Sequence, residues 1–139
     1  MSPRRGAARA RRRGRNERGG ATLGIVLCVP ALLGLVMTVA QFVVYYHASH
    51  LAAAAAQEGV RAAQGLDGTA EAAQAQAADF LAQAGPSLVL GPVVEATRDP
   101  DTARVEVRAR APQLVPGLSL TIRAVASGPV ERFIGDAGP

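Results

Sequence analysis

The sequence predicts an α+β protein: a long N-terminal transmembrane helix that continues into an alanine-rich helical region, followed by a small antiparallel sheet of about three strands. Three observations predict this class. A run without charge extends from Gly19 to Tyr46, and alanine supplies 16 of the 37 residues from 48 to 84. Beyond residue 90, apolar and polar residues alternate with period two, which is typical of half-buried strands.

The apolar run has the length of a membrane span. Residues 21–46 form a stretch of 26, and about 20 apolar helical residues cross a hydrocarbon core of about 30 Å. A core helix of a soluble protein would usually show polar residues at every turn. Tyr45 and Tyr46 close the run, where an aromatic belt would lie. We therefore expect a transmembrane helix over residues 19–46.

A cleaved secretory signal is the alternative to a retained anchor. Ala52, Ala54 and Ala56 offer small-residue cleavage sites after the run. However, the hydrophobic region of a signal peptide is normally about 7–15 residues long. The same length argues against a twin-arginine export signal, so we expect the segment to stay as an anchor.

Charge is distributed unequally on the two sides of the run. Residues 1–18 carry eight arginines and one glutamate, whereas residues 47–139 carry seven arginines and ten acids. A basic flank stays in the cytoplasm, which predicts a single-pass cell-membrane protein with an extracytoplasmic C-terminal domain. We expect residues 1–18 to be a disordered leader that contacts anionic lipid. Nucleic-acid binding is not expected, because no aromatic residue is interleaved with the arginines.

Small residues recur every four positions inside the run. Gly20, Gly24 and Cys28 share one helical face, a spacing that permits close approach of another helix. The alternative is that glycine is simply common in membrane helices. Pro30 lacks an amide donor and clashes with the preceding turn, so it should kink the helix.

Helical and turn signals organise the domain at residues 47–139. The first helix is expected to continue over about 47–64 and to stop at the turn Gly65-Leu66-Asp67-Gly68. Thr69 can cap a second helix over about 69–84, with Glu71 favourably placed in its first turn. Gly85-Pro86 is a usual helix stop.

Three strands are expected at about 93–98, 103–110 and 118–126. In the second strand, Val105, Val107 and Ala109 share one face, whereas Glu106, Arg108 and Arg110 share the other. The charged stripe is interpreted as a solvated face, with an assembly surface as the alternative. In the third strand, Leu118, Leu120 and Ile122 are expected to point inward.

The sequence offers no candidate for catalysis, for a cofactor, for a metal or for a small-molecule substrate. His47 and His50 share a helical face, but no third ligand lies near them before Glu58. Asp99 and Asp101 flank Pro100 and are interpreted as turn residues rather than as calcium ligands. Cys28 is the single cysteine, so no intrachain disulfide forms. We do not expect an enzyme.

A family resemblance rests on the residues around the start of the run. Glu17-Arg18-Gly19, followed by Ala21-Thr22-Leu23-Gly24-Ile25-Val26-Leu27-Cys28-Val29-Pro30, resembles the TadE-like (TadE/TadG) proteins of the tight-adherence, or Flp, pilus system. These proteins look like pseudopilins. The resemblance implies a pilin-like architecture and a leader cleaved between Gly19 and Gly20. The family usually carries a glutamate six residues before this proline, where the present chain has Gly24.

The resemblance also implies a function. The chain would be a pseudopilin-like component of a tight-adherence pilus or of a related secretion assembly, acting through helix packing and through an outer interaction domain. Its partners would be membrane lipid and other pilin-like subunits or pilus assembly platform proteins. The alternative is a single-span, envelope-anchored binding domain without a role in a filament.

Overall fold

The computed structural model describes the backbone of residues 10–131 and the side chains of residues 24–131. It contains two helices, α1 (Ala10–Gln64) and α2 (Ala70–Ala84), and three strands, β1 (Leu90–Arg98), β2 (Thr102–Arg110) and β3 (Thr121–Pro129). The predicted α+β class, with a long apolar helix and a three-stranded antiparallel sheet, is confirmed. The chain divides into two compact units between Val39 and Ala40. We call the described part of the second unit, residues 40–131, the head.

The first helix is one continuous element of 55 residues that includes Pro30. Its backbone is helical over residues 10–18, where a disordered leader was expected; residues 1–9 lie outside the described part of the chain. Arginine and alanine are both good helix formers. A helix that is already nucleated gains one hydrogen bond for each residue it adds, which favours extension into such a segment.

Caps and turns separate the two helices as the sequence indicates. The amide of Gly68 donates to the carbonyl of Gly65 at 2.9 Å, closing the turn after α1. Thr69 is the N-cap of α2, and its Oγ1 accepts from the amide of Ala72 at 3.0 Å. At the other end, the amide of Gly85 donates to the carbonyl of Leu81 at 3.0 Å, so the helix ends at the predicted stop.

The sheet is an antiparallel meander in the order β1-β2-β3. β1 begins at Leu90, three residues before the predicted start, and its register shifts between Leu90 and Val93. β3 starts at Thr121 rather than 118. The residues before it form a separate turn, in which Leu118 donates to the carbonyl of Val115 and Gly117 has a φ of 83°. A positive φ favours glycine, which explains the residue type at this position.

The core of the head lies between the inner face of the sheet, the second half of α1, and α2. Alanine provides most of its buried apolar side chains. The largest are Leu81, Val105, Val107 and Ile122; the alanines are Ala48, Ala52, Ala55, Ala56, Ala63, Ala73, Ala77, Ala103, Ala109, Ala111 and Ala124. Small side chains allow close approach of the elements. At Gly59, a Cβ would lie only 2.8 Å from the carbonyl oxygen of Ala73.

Candidate functional surfaces

An exposed apolar surface surrounds α1 from Gly24 to Val39 and continues over part of the helix as far as Tyr46. Its large exposed side chains are Ile25, Val26, Leu27, Val29, Leu32, Leu33, Leu35, Val36, Met37, Val39, Phe42, Val43 and Tyr46. Among the described residues, one helix is long and apolar enough to cross a membrane, with a mean hydropathy of 2.3 in a window of 18 residues of which only 6% are buried. A soluble protein rarely exposes so large an apolar surface. The segment therefore fits single-pass membrane anchoring.

The packing of the second half of α1 indicates whether the apolar segment is a cleaved secretory signal or a retained anchor. Ala52 and Ala56, two of the three small residues that a signal peptidase could use, are fully buried in the core of the head. Cleavage there would remove Ala48 and the preceding turns from that core. The packing of α1 thus favours retention of the helix.

The predicted helix-packing face lies partly inside the described side chains. Nothing lies within 4 Å of a Cβ built on Gly24, and Cys28 is exposed. Gly19 and Gly20, where the resemblance implies cleavage, precede the residues whose side chains the structure describes. Use of this face, cleavage of the leader and a kink at Pro30 all remain predictions.

A buried glutamine that the sequence reasoning missed joins α1 to the loop between β2 and β3. Gln41 is fully buried; its Nε2 donates to the carbonyl of Pro112 at 2.9 Å. Its Oε1 accepts from the amides of Leu114 at 2.6 Å and Val115 at 3.2 Å. The available signal was a lone amide within an apolar run, because a polar side chain there needs hydrogen-bond partners.

One of the two histidines makes a local aromatic contact, and one of the turn acids makes a turn contact. The rings of Tyr46 and His50 meet edge to face, with centroids 4.3 Å apart, and His47 is exposed. Throughout the described part of the chain, no group of three or more histidine, cysteine, aspartate or glutamate side chains could hold a metal ion. The amide of Asp99 donates to the carbonyl of Thr102 at 2.8 Å, which is a turn contact.

Glu106 forms the centre of an ionic cluster on the outer face of the sheet, the face opposite the helices. Arg108 Nε lies 2.6 Å and Arg123 Nε 2.7 Å from its Oε1, and Arg104 Nη2 lies 4.0 Å from its Oε2. Only 11% of the Glu106 side chain is exposed. The prediction that this face of β2 is solvated is therefore wrong at Glu106. The register places Arg123 of β3 opposite Arg108, so that both arginines reach the Glu106 carboxylate.

The arginines change the acidity of Glu106. The hydrogen bond from Arg123, followed by that from Arg108, lowers the pKa of the Glu106 carboxyl from 4.5 to about 2. The same contact with Glu106 raises the pKa of Arg123. Glu95 lies opposite Glu106 on β1, where two like charges would otherwise repel. The cluster thus holds a carboxylate ionised on a face that also exposes Val93 and Val125.

A long helix with an exposed apolar surface, joined to a small sheet packed on alanine-rich helices, fits an α+β protein with a single membrane-spanning helix. The model of the TadE-like protein family matches residues 19–61. This match confirms the resemblance seen around Gly19 and Pro30. It indicates a function related to the tight-adherence pilus. No curated protein and no solved structure matches the chain.

Proposed function

We propose that the protein is a pseudopilin-like component of a tight-adherence pilus or of a related secretion assembly. The observation that carries this proposal is the position of the family match. Residues 19–61 contain the exposed apolar segment of α1 and most of the part of α1 that forms the core of the head. The matched segment therefore joins a membrane anchor to the folded head.

In the membrane, assembly would rely on close helix packing. Lipid tails are as apolar as leucine, so large apolar side chains give little preference for a partner helix over lipid. Small residues allow backbones to approach, and the open surface at Gly24 and Cys28 supports their use as the packing face. A pilin-like subunit or an assembly platform protein would supply the partner helix.

Outside the membrane, the outer face of the sheet is the surface available to a protein partner. Arg104, Arg108 and Arg123 surround one buried carboxylate, and each arginine remains more than half exposed. Because Glu106 accepts hydrogen bonds from Arg108 and Arg123, it holds these two arginines in a preorganised basic surface beside the exposed Val125. Such a surface suits an acidic patch of another subunit.

Leader processing tests the proposal against a plain envelope-anchored binding domain. The full chain is produced in cells with and without a prepilin peptidase, extracted from membranes and analysed by intact mass spectrometry. We expect loss of residues 1–19 only with the peptidase, and no loss in a Gly19→Leu variant. Gly34→Leu, which lies away from the cleavage position, should be processed normally. A full-length chain in the presence of the peptidase supports the envelope-anchored alternative.

Site-directed photocrosslinking tests the packing face. A benzophenone maleimide is attached to native Cys28 or, in a Cys28→Ser background, to Val26→Cys, which is exposed on another side of α1. After irradiation of native membranes, adducts with pilin-like subunits should form mainly from position 28. Equal adduct yields from the two positions would exclude a specific face at Cys28.

A further inference from the structure

The loop between β2 and β3 is an uncharged, apolar segment. No charged residue occurs between Arg110 and Arg123, and the loop at 111–120 contains four residues that are leucine or valine. Leu114 is 38% exposed, and Val115, Leu118 and Leu120 are partly buried. Surface loops of soluble domains are usually polar, so this composition requires an explanation.

Gln41 fixes where this loop lies along α1. Its three hydrogen bonds to Pro112, Leu114 and Val115 hold the loop against α1 at the start of the head. The 20 residues from 21 to 40 are by themselves sufficient to cross a hydrocarbon core of about 30 Å. The loop is therefore attached where α1 would leave the membrane.

The apolar surface continues from α1 beside the attachment point. Phe42 is 55% and Tyr46 67% exposed, and Tyr46 lies about 7 Å further along α1 than Gln41. Aromatic side chains at this level are typical of the membrane–water interface. The loop therefore adds apolar surface beside residues that themselves suit the interface.

Several backbone groups of the loop have hydrogen-bond partners within the protein. Gln41 accepts from two of its amides, Leu118 donates to the carbonyl of Val115, and Ala111 donates to the carbonyl of Leu120. Unsatisfied backbone groups are what normally keep irregular loops out of the apolar part of a membrane. Their pairing lowers the free-energy cost of placing the loop at the interface.

We propose that the β2–β3 loop is a second membrane contact, in which Leu114 and Leu118 insert into the lipid interface on the side of the head. The occupant is lipid rather than protein, because the loop is uncharged and is held at Gln41, next in the chain to the exposed Phe42. The outer face of the sheet, by contrast, carries the charges that suit a protein. This inference rests on α1 spanning the membrane and is independent of any role in a pilus.

Tryptophan fluorescence in proteoliposomes tests the loop, because the chain contains no tryptophan. Full-length Leu114→Trp is compared with Leu66→Trp, a matched change at a leucine that is 66% exposed in the turn after α1. Leu66 follows the end of α1, about 35 Å of helix beyond Gln41. In phosphatidylcholine vesicles with shallow brominated chains, Leu114→Trp should be quenched at least twofold more strongly and should emit at shorter wavelength.

Two further variants distinguish the outcomes. Leu118→Trp provides a second loop position if Leu114→Trp does not fold, and Val36→Trp reports on the span itself. Quenching at position 36 without quenching in the loop overturns the proposal while leaving the anchor intact. Protection of the loop from aqueous iodide without quenching by brominated lipid would indicate a protein contact and would also overturn it. Lack of quenching at position 36 would show that α1 does not span the membrane, and it would overturn the proposal for that reason.

Discussion

Gln41 and Pro112 are joined by a hydrogen bond of 2.9 Å although 71 residues separate them in the sequence. The same glutamine also accepts from the amides of Leu114 and Val115. One fully buried side chain thus connects the start of the head to the loop between its last two strands. Three directional contacts from a single amide fix this loop more firmly than apolar packing alone would.

Replacement of Gln41 should destabilise the head. In Gln41→Leu, the amides of Leu114 and Val115 and the carbonyl of Pro112 lose their partner, and each buried polar group left unsatisfied costs about 1–3 kcal/mol. Partial access of water to the loop would reduce the total, so we expect a loss of about 2 kcal/mol in the free energy of unfolding. Urea denaturation in mild detergent micelles, followed by circular dichroism, measures it.

The matched control is Gln57→Leu, the same change at an exposed position of α1. It should alter the free energy of unfolding by less than about 0.5 kcal/mol, as is usual for surface substitutions. Equal effects of the two variants would show that the contacts of Gln41 do not stabilise the head.

Glu106 should make the stability of the head depend on pH. Its pKa is lowered to about 2 in the folded protein, so the unfolded state binds a proton more readily. The contribution is therefore complete above about pH 4.5 and is lost as the pH falls towards 2. Urea denaturation at pH 7, 4, 3 and 2.5 should show a decline in stability in the wild type that is smaller in Glu106→Gln.

Glu58→Gln serves as the control for this pH dependence. Glu58 forms an ion pair at 2.5 Å with Arg61 one turn further along α1, and the side chain of this arginine is largely exposed. Surface pairs of this kind contribute little, so this variant should keep the decline of the wild type. If the stability of Glu106→Gln declined with pH in parallel with that of the wild type, Glu106 would not be the cause of the decline.

Gly59 should not accept even one methyl group. A Cβ at this position would lie 2.8 Å from the carbonyl oxygen of Ala73 and 3.2 Å from Val105 Cγ2. Overpacking typically costs about 1–3 kcal/mol, which exceeds the gain of about 1 kcal/mol from replacing glycine by alanine in a helix. Gly59→Ala should therefore lower the thermal unfolding midpoint of the head.

Gly34→Ala is the corresponding control, since nothing lies within 4 Å of a Cβ built there. It should leave the midpoint of the head unchanged within about one degree. A Gly59→Ala head that melts at or above the wild-type temperature would mean that α1 and α2 can separate at no cost.

Arg98 should stabilise the end of α1. Its Nε donates to the carbonyl of Ala63 at 2.8 Å, and its Nη2 lies 3.4 Å from the carbonyl of Gly65. The last carbonyls of a helix lack partners within the helix, and hydrogen bonds to charged groups contribute about 1.5–3 kcal/mol. Arg98→Met should therefore reduce the free energy of unfolding by about 1–2 kcal/mol.

Arg110→Met applies the same change to an exposed arginine on β2 and should be nearly neutral. Amide hydrogen exchange adds a local test, because the last turn of α1 should exchange faster in Arg98→Met than in Arg110→Met. Unchanged exchange in that turn would argue against capping by Arg98.

Local signals predicted the parts of the fold that depend on neighbouring residues. The alternation at Val105 and Val107 predicted the buried face of β2, and Thr69 predicted the cap of α2, because such signals act over two to four residues. The start of β3 was predicted three residues early, since Leu118 and Leu120 continue the same alternation through a turn.

The two polar contacts that organise the surfaces could not be predicted locally. Gln41 meets its partners across more than 70 residues, and Arg123 reaches Glu106 only through the register of β2 and β3. A strand's alternation indicates which face a side chain occupies but not which residue lies beside it on the next strand. Tertiary structure was required for both.

The irregular start of β1 limits how copies of the head can meet. β1 is an edge strand, its register shifts between Leu90 and Val93, and Pro92 has no amide to donate. Edge strands interrupted in this way are poor templates for backbone pairing with another chain. Backbone pairing between neighbouring heads at this edge is therefore disfavoured. Heads that meet on a crowded membrane would contact each other through side chains, and these contacts would be reversible.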